Sequence, residues 1–177
     1  MKATGIVRRI DDLGRVVIPK EIRRTMRIRE GDPLEIYTSS SGEVIFKKYS
    51  PIGELSLFAT QYADALISAT DKAVIICDRD HCVAAAGISK KDVLDKRITS
   101  AVEEIMENRK VEVFGDGKAL PAVDGLEQNI LVAAPIVISG DVSGAVVFTS
   151  QSAKKPTDTD IKLAKVAASV LGKQMEA

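Results

Sequence analysis

Arginine is the residue type that stands out at the start of this chain. Residues 1–29 contain nine basic side chains against three acidic ones, which leaves a net charge of +6. A guanidinium group holds its N–H donors in one rigid plane, so it binds two phosphate oxygens, or the O6 and N7 atoms of guanine, at the same time. Binding of a polyanion such as nucleic acid is therefore the chemistry that this segment favours. The nine basic residues are Lys2, Arg8, Arg9, Arg15, Lys20, Arg23, Arg24, Arg27 and Arg29.

A second interpretation of the same arginines is purely structural. Asp11, Asp12 and Glu21 lie among them and could pair with them, so that the arginines only solubilise the chain. The charge of the remaining chain favours the interpretation that the arginines bind a polyanion. From residue 51 onward there are 14 basic and 18 acidic side chains, so a basic front precedes a mildly acidic body.

Catalytic motifs are missing from the sequence, which contains no phosphate-binding glycine loop, HExxH helix or GxSxG turn. His81 lies between Asp80 and Cys82, but neighbours on a strand point to opposite faces, so we expect an exposed turn histidine. Cys77 and Cys82 are too few for a structural zinc site. They could form a redox switch, but a buried, inert Cys77 is the favoured interpretation. We expect no enzyme activity, no metal and no cofactor.

The hydropathy pattern indicates no membrane partner. No apolar run approaches the roughly 20 residues needed to cross a bilayer, and no signal peptide precedes the charged start. With two cysteines only, we expect a reduced cytoplasmic protein. Binding to chromosomal DNA would associate it with the nucleoid.

Short elements separated by turns are predicted to position the arginines. β-Branched stretches before and after an Asp-Asp-Leu-Gly turn indicate two strands, Pro19 favours the start of a short helix, and a hairpin follows. The predicted elements are strands at 5–10, 15–18, 34–38 and 43–48 and a helix at 20–26. About 50 residues without a disulfide or metal bury too little surface to be stable alone. We therefore expect this segment to share a core with a second copy, by interleaved hairpins in a homodimer.

The same residues resemble a known DNA-binding domain. The run from Lys2 to Pro19, the pair Arg23-Arg24 and the later segments 34–37 and 46–49 are similar to the swapped-hairpin domain of AbrB-type transition-state regulators. The resemblance implies an intertwined homodimer, a swapped-hairpin β-barrel, whose positive surface binds double-stranded DNA. The residues that map onto the family's DNA-contacting arginines are Arg8, Arg9, Arg15, Arg23 and Arg24, and we place Lys2 as a weaker phosphate contact. These six are the candidate contact residues.

The second half has a different pattern. Pro51 and Gly53 disfavour regular structure, so we place a linker at 51–55 between domains at 1–50 and 56–177. Apolar residues at three- and four-residue steps predict one helix after the linker and another from about Asp158 to Gln174, after a Thr157–Asp160 capping box. We expect both helices to pack on their own sheet and also to form a helical contact between copies. The elements predicted between them are strands at 73–77, 82–86, 111–114, 131–138 and 145–148, a short helix or turn at 90–96 and a longer helix at 99–108.

This half resembles a GAF domain, through the runs 73–78, 134–137 and 142–147. The predicted fold class is thus α+β: an AbrB-like head followed by a GAF-like antiparallel sheet flanked by helices. Domains of this type hold cyclic nucleotides, amino acids or chromophores, and no residue here selects an effector.

The order of the two halves is similar to that of a family of regulators of forespore gene expression. That resemblance implies a homotetramer and a DNA-binding transcriptional regulator, activator and repressor, of sporulation genes, with effector sensing or tetramer assembly in the GAF-like domain. The alternative is an antitoxin-like DNA-binding partner that neutralises a toxin, because the same head occurs in such proteins. That reading expects a disordered tail, whereas residues 54–177 are patterned with apolar residues throughout.

Overall fold

A computed structural model describes residues 4–115, 120–151 and 155–176. The chain divides into two compact units, one ending at Tyr49 and the other beginning at Ser50. The first is the N-terminal unit and the second is the C-terminal unit.

The N-terminal unit contains one short helix and one hairpin. Its elements are α1 (Lys20–Thr25), β1 (Leu34–Thr38) and β2 (Val44–Lys48). Strands β1 and β2 pair in antiparallel register, with Ile36 opposite Phe46. The predicted helix and hairpin are confirmed. Because side chains alternate along a strand, Ile36 and Phe46 share one face of the hairpin while Glu35 and Lys47 share the other.

The two strands predicted at 5–10 and 15–18 are wrong for the single chain, in which these residues have no regular structure. A strand needs a hydrogen-bonded neighbour, and within residues 4–49 the backbone pairing between these segments is limited to the donation from Asp11 N to Arg15 O, at 3.1 Å. The side chains that would face a sheet are uncovered: Val7 is 89% exposed and Val17 is 71% exposed.

Burial in the N-terminal unit is very low. Among residues 4–49, Pro19 alone is buried. The exposed large apolar side chains of this unit are Ile6, Val7, Ile10, Leu13, Val16, Val17, Met26, Ile36, Tyr37, Val44, Phe46 and Tyr49. An apolar surface of this extent indicates an interaction surface rather than a solvated one.

The C-terminal unit is a five-stranded antiparallel sheet covered by helices on both faces, as predicted. Its strands are β3 (Ala73–Asp78), β4 (Cys82–Ala86), β5 (Glu112–Val113), β6 (Asn129–Ile138) and β7 (Asp141–Ser150), in the spatial order β4-β3-β7-β6-β5. Its helices are α2 (Pro51–Glu54), α3 (Ser56–Thr70), α4 (Lys90–Val93), α5 (Ser100–Asn108) and α6 (Asp158–Gln174). Strand β7 begins earlier than predicted because the β6–β7 hairpin turns within Ser139 and Gly140, which both have positive φ angles.

Alternation along the strands divides the core in two. Val74 and Ile76 of β3 belong to one cluster, which is covered by α3 and α6. Ile75 and Cys77 belong to the other cluster, which is covered by α4, α5 and the segment that follows residue 120. Both clusters contain fully buried side chains, so this unit has the core that the N-terminal unit lacks.

Residues 51–54 correct the expectation that Pro51 and Gly53 exclude regular structure. They form helix α2, because Pro51 occupies the first helical turn, where a missing N–H is tolerated. Ser50 caps the helix by accepting a hydrogen bond from Gly53 N at 3.0 Å. Ile52 is fully buried in the α3–α6 cluster, which attaches this helix to the C-terminal unit.

Helix α6 begins with the predicted capping box. Thr157 Oγ1 accepts from Asp160 N at 3.2 Å, and Asp160 Oδ2 accepts from Thr157 N at 2.8 Å. The helix buries Ala164, Ala168 and Leu171 against the sheet. These residues follow the three- and four-residue apolar steps from which the helix was predicted.

Replacing Thr157 by alanine removes the hydroxyl that accepts from Asp160 N and leaves the backbone N–H that donates to Asp160 Oδ2. We expect the free energy of unfolding of the C-terminal unit to fall by about 1 kcal/mol, measured by chemical denaturation of the whole chain. The matched control is Thr159→Ala, two residues further on at an exposed helical position, where alanine is a better helix former. Equal stability of the two variants would contradict the role of the cap.

Candidate nucleic-acid interface

The predicted contact residues fall on three local segments of the N-terminal unit. Arg8 and Arg9 precede the Asp-Asp-Leu-Gly turn, Arg15 follows it, and Arg23 and Arg24 lie on α1. All five are exposed. Lys2, the remaining candidate, lies outside the described residues. Every described candidate is therefore accessible to solvent or a ligand, and none of them is buried in the core.

The turn before Arg15 is closed by its own backbone and by Asp11. Gly14 N donates to Asp11 O at 3.0 Å, and Gly14 adopts a φ of +74°, which a residue with a side chain rarely adopts. Asp11 Oδ1 accepts from Leu13 N at 3.1 Å and from Arg15 N at 2.8 Å. Arg15 thus directly follows a four-residue turn whose geometry depends on the aspartate at its first position and the glycine at its fourth.

Asp11 also binds the Arg15 side chain. Arg15 Nε donates to Asp11 Oδ2 at 2.8 Å. Hydrogen bonds from the Arg15 backbone, first, and from its side chain, second, hold the pKa of the Asp11 carboxyl below its usual value. Sequence reasoning named Asp11 as a potential partner of the arginines, and the structure confirms a pair for Arg15.

Helix α1 presents Arg23 and Arg24 at its carboxyl end. Two cations there interact favourably with the helix dipole. Backbone hydrogen bonds stabilise both ends of the helix. Arg23 N donates to Pro19 O at 2.9 Å, and Ile28 N donates to Arg23 O at 2.8 Å. Adjacent helical residues point about 100° apart, so Arg23 and Arg24 address different directions.

Lys47 and Lys48, which sequence reasoning did not single out, form contacts within the N-terminal unit instead of extending its cationic surface. Lys48 Nζ donates to Arg27 O at 3.0 Å and lies 3.2 Å from Asp32 Oδ2, which fastens β2 to the loop after α1. Lys47 Nζ lies over the Tyr37 ring, 4.6 Å from its centre. Their positions near the end of the hairpin were visible in the sequence, but their partners depend on the hairpin register.

The two cysteines of the C-terminal unit oppose each other across β3 and β4. Both are buried free thiols. Burial, with smaller effects of Cys82 and Asp78, raises the pKa of the Cys77 thiol far above its ordinary value. Burial and the Asp95 charge raise the pKa of Cys82 to about 12. The predicted inert, buried Cys77 agrees with this geometry.

Other chemistry is limited in the described parts of the chain. No group of three or more His, Cys, Asp or Glu side chains there could hold a metal ion, and none of the described helices is long and apolar enough to span a membrane. A groove of about 370 Å³ lies between β6 and α6, with Pro135 and Val137 on one side and Lys165, Ser169 and Lys173 on the other.

Residues 54–176 match the family model described as the stage V sporulation protein T C-terminal domain, a transcription factor. The chain is 53% identical over 178 residues to stage V sporulation protein T of Bacillus subtilis, and the match covers 99% of both chains. This chain belongs to the stage V sporulation protein T family.

Each half of this stage V sporulation protein T family member also has relatives of its own. Over 51 residues it is 61% identical to the transition state regulatory protein AbrB of Bacillus subtilis, covering 29% of this chain and 52% of that protein. Residues 7–53 match the model of the antidote-toxin recognition family MazE, bacterial antitoxins. The GAF domain of a Coxiella burnetii phosphoenolpyruvate-protein phosphotransferase has the same fold as the C-terminal half, with a TM-score of 0.55, 17% identity and coverage of 68% of this chain and 82% of that one. The α+β fold class, AbrB-like followed by GAF-like, is confirmed.

Because the pKa values of both thiols are raised, we expect the cysteines of this family member to react slowly with thiol reagents. At pH 8 a thiol of pKa about 12 is ionised in roughly one molecule in ten thousand, and the thiolate is the reactive form. We expect neither cysteine of the folded chain to react with Ellman's reagent within minutes, and both to react once guanidinium unfolds it. Cys82→Ala should halve the denatured signal. Rapid release of two equivalents by the folded protein would contradict the burial of this pair.

Proposed function

We propose that this protein is a DNA-binding transcriptional regulator of sporulation genes, an activator at some and a repressor at others. The observation that carries the proposal is a set of five exposed arginines, within residues 8–24, in a chain that is 53% identical throughout to stage V sporulation protein T. The membership in a transcription-factor family supports a regulatory role rather than an enzymatic one.

Duplex DNA is the ligand that this surface fits. The N-terminal unit, residues 1–49, contains 11 basic and 7 acidic side chains, and its arginines project from a turn and from the end of a helix. Guanidinium groups bind phosphate oxygens and guanine edges. If few of these side chains reach base edges, groove shape and DNA flexibility decide which sites the protein selects.

The binding unit is proposed to be a homodimer with exchanged hairpins. Twelve large apolar side chains are exposed in a unit where Pro19 alone of residues 4–49 is buried, so the hydrophobic effect strongly favours association. In a swapped-hairpin β-barrel, the segments 5–10 and 15–18 gain the strand partners that one chain does not supply. A two-fold dimer also presents each arginine twice, at a spacing suited to a duplex.

The C-terminal unit is proposed to join two such dimers into a homotetramer and to sense a small molecule that is not yet identified. Helices α3 and α6 leave apolar side chains uncovered, with Leu57 74% exposed and Val166 52% exposed, which supports a helical contact between copies. Candidate effectors can be screened for binding in the groove between β6 and α6. These roles place the protein in the cytoplasm, on the nucleoid.

The second candidate is an antitoxin-like partner protein, which the MazE match to residues 7–53 favours. Such a protein would use its second half to wrap a toxin as a disordered segment. The C-terminal unit instead has two buried clusters around a sheet, and it matches a transcription-factor domain over residues 54–176. These observations favour the regulator.

Arg15→Ala tests the arginine surface. We expect DNA affinity to fall by about 1–3 kcal/mol, or roughly 10- to 100-fold, while the melting temperature is retained, because the side chain is exposed and contacts a base edge or phosphate. Fluorescence anisotropy with a promoter duplex at several salt concentrations measures both the affinity and its salt slope.

Arg97→Ala is the matched control, since it removes the same charge from an exposed position in the C-terminal unit. We expect its affinity to stay within about twofold of the unaltered protein, because no candidate contact residue lies in the C-terminal unit and a single exposed charge is screened by salt. Binding by Arg15→Ala as tight as that of the control would contradict the assignment of Arg15.

Val17→Asp tests the dimer. In the single chain Val17 is exposed, so a carboxylate there is harmless, but in the proposed barrel it buries a charge that costs several kcal/mol. We expect light scattering of the whole chain to show a smaller assembly, and DNA binding to be lost. The control is Val113→Asp, an exposed valine of β5; an unchanged mass for Val17→Asp would exclude the exchanged-hairpin dimer.

A further inference from the structure

We propose that Asp11 is a positioning residue for DNA recognition, which holds the Arg15 guanidinium in the orientation that binds DNA. The inference rests on the proposed function, because it assigns a role within the DNA-binding surface. It also makes Asp11 an acidic residue that increases the affinity for a polyanion, which is the opposite of what its charge alone predicts.

The two oxygens of the Asp11 carboxylate have separate tasks. Oδ1 accepts from the backbone N–H groups of Leu13 and Arg15 and so closes the turn. Oδ2 accepts from Arg15 Nε at 2.8 Å. One carboxylate therefore fixes both where the Arg15 backbone lies and which way its side chain leaves the turn.

The use of Nε leaves the other edge of the guanidinium for a ligand. Arg15 is 69% exposed, and no described residue accepts a hydrogen bond from its Nη1 or Nη2 groups. These two groups present parallel N–H donors, which match the O6 and N7 atoms of guanine or two oxygens of one phosphate. A pair formed through both Nη groups would have blocked this edge, so the observed geometry is the one compatible with binding.

Pre-orientation explains why a carboxylate is retained on a surface that meets phosphate. An arginine side chain loses rotamer freedom when it binds, and ordering it in advance reduces that loss. Asp12 is the natural comparison, because it is the adjacent residue in the same exposed turn and has no described contact with an arginine. Repulsion of phosphate by Asp12 is therefore not offset by any positioning effect.

The two aspartates consequently predict changes of opposite sign. Asp11→Asn retains an amide oxygen that can accept from Leu13 N and Arg15 N, but its NH₂ group cannot accept from Arg15 Nε. Asp12→Asn removes the same charge without touching Arg15. Charge alone predicts that both variants bind DNA more tightly than the unaltered protein.

The experiment compares the two full-length variants with a duplex that the unaltered protein selects from a random pool, and with a scrambled duplex of equal composition. We expect Asp11→Asn to bind the selected duplex about 3- to 10-fold more weakly and to discriminate less between the duplexes. We expect Asp12→Asn to bind both duplexes equally well or more tightly. In an Arg15→Ala background, Asp11→Asn should no longer weaken binding.

A spectroscopic readout separates positioning from loss of structure. The Nε–Hε resonance of Arg15 should be protected from solvent exchange in the unaltered protein and in Asp12→Asn, and unprotected in Asp11→Asn. If Asp11→Asn lowers the melting temperature, Asp11→Ser, which retains a shorter acceptor for the turn, replaces it in the same comparison.

The outcomes distinguish the inference from the function on which it rests. Equal or tighter binding by Asp11→Asn relative to Asp12→Asn, or an Hε resonance that is unprotected in the unaltered protein, overturns the role of Asp11 alone. Failure of the unaltered protein to retain any duplex overturns the proposed function, and this role with it.

Discussion

Burial of apolar surface is the constraint on which the two units depend, and they meet it in different ways. The C-terminal unit buries the centre of β7 between β3 and β6, so that every residue from Gly144 to Thr149 is inaccessible. The N-terminal unit buries Pro19 and little else of residues 4–49. A unit of that size cannot cover its own apolar side chains, because the ratio of surface to volume is too high. In the proposed dimer, association is thus a condition of its fold.

That dependence has a functional consequence. When a binding unit is completed by a second copy, the spacing of its arginines is set by a symmetry axis rather than by one chain. Each local segment needs only to fix the direction of its own side chain. The turn at Asp11 and Gly14 does this for Arg15, and Arg23 and Arg24 project from the last turn of α1. Local hydrogen bonds and global symmetry therefore have separate roles in the surface.

The C-terminal unit meets its own constraint by close packing on both faces of the sheet. Gly144 shows how tight this packing is, since a Cβ added there would collide with the Cys77 carbonyl group and Ile52. The same packing encloses the two thiols, and burial explains why their pKa values rise. The groove of this unit lies between β6 and α6.

The sequence by itself determined the arginine set, the helix after Pro19, the β1–β2 hairpin, the capping box of α6 and the five strands of the larger sheet. These features depend on local chemistry: a proline, a Thr–Asp pair or alternating apolar residues act within a few positions. Tertiary structure alone decided the rest. Ile52 draws α2 into the larger core although its proline and glycine indicated a linker, and residues 5–10 and 15–18 form no strands in one chain because a strand requires a partner. The choice of Nε as the Arg15 donor likewise depends on the angle at which the turn closes, which no spacing of residue types specifies.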